Sequence, residues 1–286
     1  MSFRKIIVPL NGTSQDELAL RLAFMAGTPF KAHIVALYRN PHLAKEPSYF
    51  RLLTTDIGAE IVKEVTEGAK AREKLSARLN AIAMAFGATV SDGSRRMDFL
   101  TYSCCEVGGP LTDAILESAR LADMVVFGPA DANENLEMME ALSETLVKSR
   151  RPVLLAPQNL PQTFARRIVV GWDGSFSAAH ALTAASPYLS LASVVDITDV
   201  RRPSDQPADI LAIKTYLSLH GVSCTLHEVD GVYGDVSELL FEAARNQMAD
   251  LLIVGGFAHS RLRQSILGGV TNHILSRAAI PVFLVH

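Results

Sequence analysis

The chain has only three cysteines, Cys104, Cys105 and Cys224, among 286 residues. An odd count with two neighbours side by side makes no disulfide framework and points to a reducing, cytoplasmic setting. Long apolar runs are missing too. Nothing approaches the roughly 20 consecutive apolar residues that span a bilayer, so no membrane contact is expected. The opening MSFRKIIVPLNG stops its apolar run at Pro9 and has no cleavage site, so no secretory leader is read there. Charge of one sign is also scarce. A net charge of −3 provides no basic stripe, and no nucleic acid is expected. The eight histidines are scattered without a two-His spacing, so no metal is expected. No Ser–His–Asp order stands above chance in a chain this long. With no evident general base or metal pair, a dedicated enzyme is not expected, and any hydrolytic activity should be weak.

What the chain does have is a repeat. Residues 4–20 read RKIIVPLNGTSQDELAL and residues 166–182 read RRIVVGWDGSFSAAHAL. Ala122-Asp123-Met124-Val125-Val126-Phe127-Gly128 returns as Ala249-Asp250-Leu251-Leu252-Ile253-Val254-Gly255. Arg151-Pro152-Val153-Leu154-Leu155 returns as Ile280-Pro281-Val282-Phe283-Leu284. A period of half the chain means two copies of one domain. The length suits two domains, and 49% apolar residues suffice for two cores. Pro157-Gln158-Asn159-Leu160-Pro161-Gln162 reads as the linker between domains 1–158 and 163–286.

In each half, short apolar runs alternate with longer amphipathic ones, the mark of an α/β fold with a parallel sheet covered on both faces. Strands are expected near 5–10, 32–38, 97–106, 124–128 and 153–156, then 167–172, 193–198, 223–229, 251–255 and 282–285. Helices are expected over 14–27, 58–86, 109–120 and 135–148, then 176–187, 207–220, 234–246 and 268–278. The N-terminal half is longer by about 35 residues, most of them in 40–90, where one long amphipathic helix places Ile61, Val65, Leu75 and Leu79 at core spacing.

The chemistry concentrates in the C-terminal half. A strand ends at Gly255, and a short loop holds His259, Ser260, Arg261 and Arg263. A helix then opens at Gly268-Gly269-Val270-Thr271. Helix N-termini offer unpaired N–H groups to phosphates, and glycines let the backbone approach closely. Asp173 stands just past the first strand, at the edge where open α/β sheets bind ligands. His259, Arg261 and Arg263 either neutralise phosphate charge or form a solvated loop face. Asp173 read alone is a turn former, and Gly268-Gly269 read alone begins a tightly packed helix.

Strand–Asp-Gly-Ser early and a spaced glycine motif late, closed by Gly-Gly-Val-Thr and Ile-Pro-Val-Phe-Leu-Val, resemble the universal stress protein family, here as a tandem pair. The resemblance implies two Rossmann-like domains, each a five-stranded parallel sheet with helices on both faces and strand order 3-2-1-4-5. It implies that Asp173 contacts the adenine or ribose of ATP or another adenine nucleotide, while Gly255, Gly268, Gly269 and Thr271 wrap its phosphates. The function implied is a stress-response regulator or sensor. Two departures stand out. Ala258 replaces the motif's second glycine, and Gly269 replaces a hydroxyl residue, with Ser260 and Thr271 as substitutes.

The N-terminal half departs further. Asn11 replaces the aspartate, Ala141 stands for the closing glycine, and Asp131, Glu134, Glu137 and Glu140 would repel phosphate. No nucleotide is expected there. Two other functions are compatible with the residues: an interaction scaffold with both sites vestigial and protein partners yet to be named, and a binder of an apolar or lipid-like ligand along helix 58–86. Trp172 either lines a pocket or ends a strand in the core. Of Cys104 and Cys105, alternation turns one inward and one outward, and a buried structural cysteine is expected there. The last strand of each half is an edge that needs cover. The family pairs such edges across a dimer, and a tandem chain can make the same contact internally as a pseudo-two-fold pair. A further homodimer is a separate matter.

Overall fold

A computed structural model describes residues 2–40, 55–91, 98–130, 136–201, 210–230, 235–256, 274 and 277–286. The N-terminal half runs β1 (Lys5–Leu10), α1 (Gln15–Gly27), β2 (His33–Arg39), α2 (Thr55–Ala85), β3 (Thr89–Val90), β4 (Thr101–Val107), α3 (Leu111–Ala119), β5 (Met124–Phe127), α4 (Leu136–Glu144) and β6 (Val153–Leu155). The C-terminal half runs β7 (Arg167–Trp172), α5 (Phe176–Ala184), α6 (Ser186–Leu189), β8 (Val194–Arg201), α7 (Ile210–Leu219), β9 (Thr225–Asp230), α8 (Val236–Asn246), β10 (Leu251–Gly255) and β11 (Val282–Val285).

These strands form one eleven-stranded sheet in the order β3-β4-β2-β1-β5-β6-β11-β10-β7-β8-β9. The C-terminal half has the order 3-2-1-4-5 in its own count. The N-terminal half repeats it and adds β3, which pairs Thr89 with Thr101 and Val90 with Tyr102. Five strands were expected there, but two residues are too short for alternation to register. Every pairing within a half is parallel. The two halves join through β6 and β11, which pair antiparallel with Val282 opposite Leu155 and Leu284 opposite Val153. The edges that needed cover therefore cover each other.

Helices lie on both faces, so central strands read as continuous apolar runs. Ile6, Val8 and Leu10 face one core layer with Leu20 and Phe24 of α1 and Leu75, Leu79, Ile82 and Ala83 of α2. The spacing in α2 is that of one helical stripe. This makes Ile82 and Ala83, on the helix where an apolar ligand was considered, part of the core. The side chains of Ile61 and Val65 lie outside the described residues. Ile7, Val169 and Leu252 face the other layer with Ile115 of α3 and Leu240 and Phe241 of α8.

The repeated Ala-Asp pair has a structural task. Asp123 accepts the backbone N–H groups of Arg4 (2.7 Å) and Lys5 (2.8 Å) through Oδ2. Asp250 accepts those of Arg166 and Arg167, both at 2.9 Å, through Oδ1. Asp123 thus ties the start of β1 to the start of β5, and Asp250 the start of β7 to the start of β10.

The seam is aromatic. Tyr188 of α6 is fully buried, stacks on Phe3 at 4.8 Å between centroids and meets Phe30, Phe164 and Phe283 edge-on. Its hydroxyl donates to the Ala26 carbonyl at 3.1 Å, a bond from one half to the other.

The cysteine expectation is corrected. Cys104 and Cys105 are both exposed. β3 ends opposite Tyr102, so the outer edge of β4 from Ser103 onward is not flanked by it. Cys224 packs half-buried against the core. No helix among the described residues is long and apolar enough to cross a membrane.

Candidate functional site

In the C-terminal half the first strand, β7, lies between β8 and β10. The chain leaves β7 in one direction and returns through β10 on the other side, which opens a crevice at the carboxyl ends of the two strands. A cleft occupies it. Gly171, Val200, Val236, Leu240, Val254 and Ile274 give it an apolar floor, while Trp172, Asp173, Ala178 and Gly255 border it. Both roles considered for Trp172 hold: its ring packs against the core and it lines the cleft. Its indole Nε1 is buried and has no acceptor among the described residues.

Asp173 is exposed at the mouth. Its Oδ1 accepts the Ser175 N–H at 2.9 Å, closing a turn in which Gly174 has φ of +75°. Ser175 then caps α5 by accepting the Ala178 N–H through Oγ at 3.1 Å. The turn-forming role of Asp173 is therefore real. It leaves acceptor capacity on a carboxylate for a donor entering the cleft.

Gly255 faces Asp173 across the same crevice. A Cβ added there would lie 2.5 Å from the Ala178 nitrogen and the Ser177 carbonyl carbon. The end of β10 thus abuts the first turn of α5, which a side chain would prevent. Packing alone requires this glycine, whether or not a phosphate approaches it. The structure brings together Asp173 and Gly255. The other expected site residues, His259, Ser260, Gly268, Gly269, Val270 and Thr271, lie outside the described residues, as do Ala258, Arg261 and Arg263.

The equivalent turn in the N-terminal half is built alike and charged differently. Asn11 accepts the Thr13 N–H through Oδ1 at 3.3 Å, as Asp173 does for Ser175. Asp16, at the position of Ala178, is buried, and its two oxygens accept the backbone N–H groups of Asn11 (3.2 Å) and Gly12 (2.8 Å). Burial pushes this carboxyl up to about 6, against the opposing pull of the two N–H bonds and of Arg78. Sequence reasoning passed over Asp16. The signal was available in the repeat: the first half reads Asn11 with Asp16, and the second Asp173 with Ala178. Of the acids expected to repel phosphate, Glu137 pairs with Arg39 at 3.2 Å, Glu140 is exposed, and Asp131 and Glu134 lie outside the described residues. Ala141 is core.

Comparison with known proteins bears on both halves. Residues 165–286 match the model of the Universal stress protein family. A curated universal stress protein of Synechocystis sp. is 24% identical over 178 residues, and the match spans 61% of this chain and 61% of that protein. Among solved structures, a universal stress protein from Archaeoglobus fulgidus superposes with a TM-score of 0.73 at 15% identity, over 98% of this chain and 97% of that one. A structure from Pseudomonas aeruginosa described as a putative universal stress protein gives 0.58 at 14% identity, over 99% and 93%. At these identities the structures speak for the fold, and they do so across both halves.

Proposed function

We propose, from the match of residues 165–286 to the Universal stress protein family, that the C-terminal cleft binds an adenine nucleotide and that the protein acts as a stress-response regulator or sensor. The observation that carries this reading is the cleft itself: an apolar floor at the crossover of the sheet, with one carboxylate at its mouth. A flat aromatic base suits an apolar floor, and Asp173 accepts from a ribose hydroxyl or an exocyclic amine. The N-terminal half serves as structural partner and takes no nucleotide, because Asp16 already holds the backbone donors of its turn. The one carboxylate of the lining, Asp173, is assigned here to a ribose hydroxyl or amine, so hydrolysis above roughly 1 s⁻¹, ordinary for an enzyme, is not expected.

The test starts with freshly purified protein, denatured and resolved by anion exchange at 260 nm. ATP titration of wild type and Asp173→Ala follows. Released adenine nucleotide or saturable ATP binding in the wild type, weakened about tenfold or more in the variant, is the expected result. A charge-assisted hydrogen bond is worth that much. No released nucleotide and no titration signal would overturn the reading.

A scaffold role is the second reading, favoured by Phe176. This side chain is 96% exposed on the first turn of α5, three residues past Asp173. A protein partner seated at the cleft mouth would cover it. Phe176→Ala with undiminished ATP binding and lost partner capture would separate the two roles.

A further inference from the structure

The fold gathers cations that the sequence scatters. Arg4 stands before β1, Lys31 before β2, Arg120 at the end of α3, and Arg150 and Arg151 before β6. All five lie at the amino ends of parallel strands, where the helices that cross back over the sheet deliver the chain. Contacts tie them to one rim. Arg151 donates through Nη2 to the Arg120 carbonyl at 2.7 Å. Asp123, three residues past Arg120, holds the backbone N–H groups of Arg4 and Lys5. The Arg4 carbonyl in turn accepts the His33 N–H at 2.7 Å, two residues past Lys31. Arg4, Lys31, Arg120 and Arg150 are exposed and have no ion-pair partner among the described residues. Of the acids nearby, Asp123 is bonded to those two N–H groups and Glu144 pairs with Lys148, which leaves Glu117 exposed on α3.

The seam decides what this rim faces. Because β6 and β11 run antiparallel, the amino ends of the N-terminal strands share a rim with the carboxyl ends of the C-terminal strands. That is the rim on which the cleft opens. Between β6 and β10, where Gly255 borders the cleft, lies only β11. Two inter-strand steps are roughly 10 Å, about one Debye length at 0.1 M salt. Arg150 and Arg151 therefore stand within electrostatic reach of the cleft. Arg4, two strands further along, comes into reach as salt falls.

We propose that this basic rim of the N-terminal half steers an anionic ligand into the C-terminal cleft. The inference rests on the reading that the cleft binds an adenine nucleotide. It addresses how a ligand carrying several negative charges approaches a mouth whose one lining charge is the Asp173 carboxylate. Unpaired cations beside a low-dielectric cleft raise the local concentration of an anion and its rate of association by about 10–1,000-fold, and salt removes the effect. The rim acts through its field and makes no contact with the bound ligand. It therefore selects for ligand charge, with ATP captured faster than uncharged adenosine.

The experiment measures association and dissociation of ATP with the full chain by stopped flow. Trp172, which borders the cleft, is the chain's single tryptophan and reports binding; a fluorescently labelled ATP replaces it should the indole not respond. The variant combines Arg4→Glu, Arg120→Glu and Arg150→Asn. Asparagine is chosen at 150 because φ there is +54°, a conformation it tolerates. At about 0.01 M salt, where the Debye length is about 30 Å, kon should fall about tenfold or more in the variant with koff unchanged. The two proteins should converge at about 1 M salt. Arg245→Glu, exposed at the end of α8 on the opposite rim, should keep the wild-type kon. Equal kon for variant and wild type at low salt, or a loss carried by koff, would overturn steering while leaving the nucleotide reading intact. No ATP binding to the wild type at any salt would sink that reading, and this inference with it. Should the triple variant fail to fold, the wild type decides: kon for ATP that does not fall with salt overturns the proposal.

Discussion

One residue shows how burial and charge compete in this protein. Asp16 pays for its position by titrating at about 6 rather than at the ordinary 3.8. Its folded-state pKa is raised, so the folded chain holds the proton more tightly than the unfolded chain. The stability this contributes is fully present below about pH 4 and is lost as pH rises through 6. A shift of about two units corresponds to roughly 2–3 kcal/mol at neutral pH. Asp16→Asn should remove that dependence. The difference in Tm between pH 5 and pH 7.5 should change in the variant, with neutral-pH stability gaining relative to wild type. Identical pH profiles for the two proteins would mean that the carboxyl titrates normally. The sequence announced Asp173 because it follows a strand in a recognisable turn. Asp16 was hidden in a helix's first turn, where acids are ordinary. Its burial depends on α2 and β2 folding over it, which no local pattern records.

At the scale of elements, short apolar runs made the ten longer strands legible before any coordinates, and their order was what the family resemblance implied. What escaped is what local pattern cannot carry. β3 is two residues long. Helix 176–187 is broken at Ala185, where α5 ends and α6 begins with Pro187 in its first turn; proline fits a helix start and not its interior. The contact between β10 and α5 is another such feature. Gly255→Ala should cost about 1–3 kcal/mol by overpacking, because its Cβ would meet the backbone of Ser177 and Ala178 at 2.5 Å. Gly256→Ala, whose nearest neighbour is the Val285 carbonyl oxygen at 3.4 Å, should fall within about 0.5 kcal/mol of wild type. Urea midpoints of the two variants check this. Equal midpoints would mean that β10 and α5 can part without strain, and that the glycine is there for something else. The loop and glycine pair beyond Gly256 were the sequence's strongest nucleotide signal, and that part of the site stays a reading of residues.

At the scale of the whole molecule, the seam makes the two halves one folding partnership. β6 and β11 each offer an unpaired edge once separated, and Phe283, Phe3 and Tyr188 would lose each other. Residues 1–158 and 159–286 produced as separate chains should self-associate or precipitate alone and recover a one-to-one complex when refolded together. Sedimentation of the mixture at the mass of the intact chain is the expected result. Two stable monomers that ignore each other would show the seam to be incidental. Because β6 and β11 run antiparallel, the carboxyl ends of the two half-sheets point to opposite rims. The cleft beside Asp173 and the turn that Asp16 holds thus look away from each other. Whatever docks at one rim leaves the other free, so a duplicated chain of this kind can let one copy drift toward a new task without obstructing the approach to its twin.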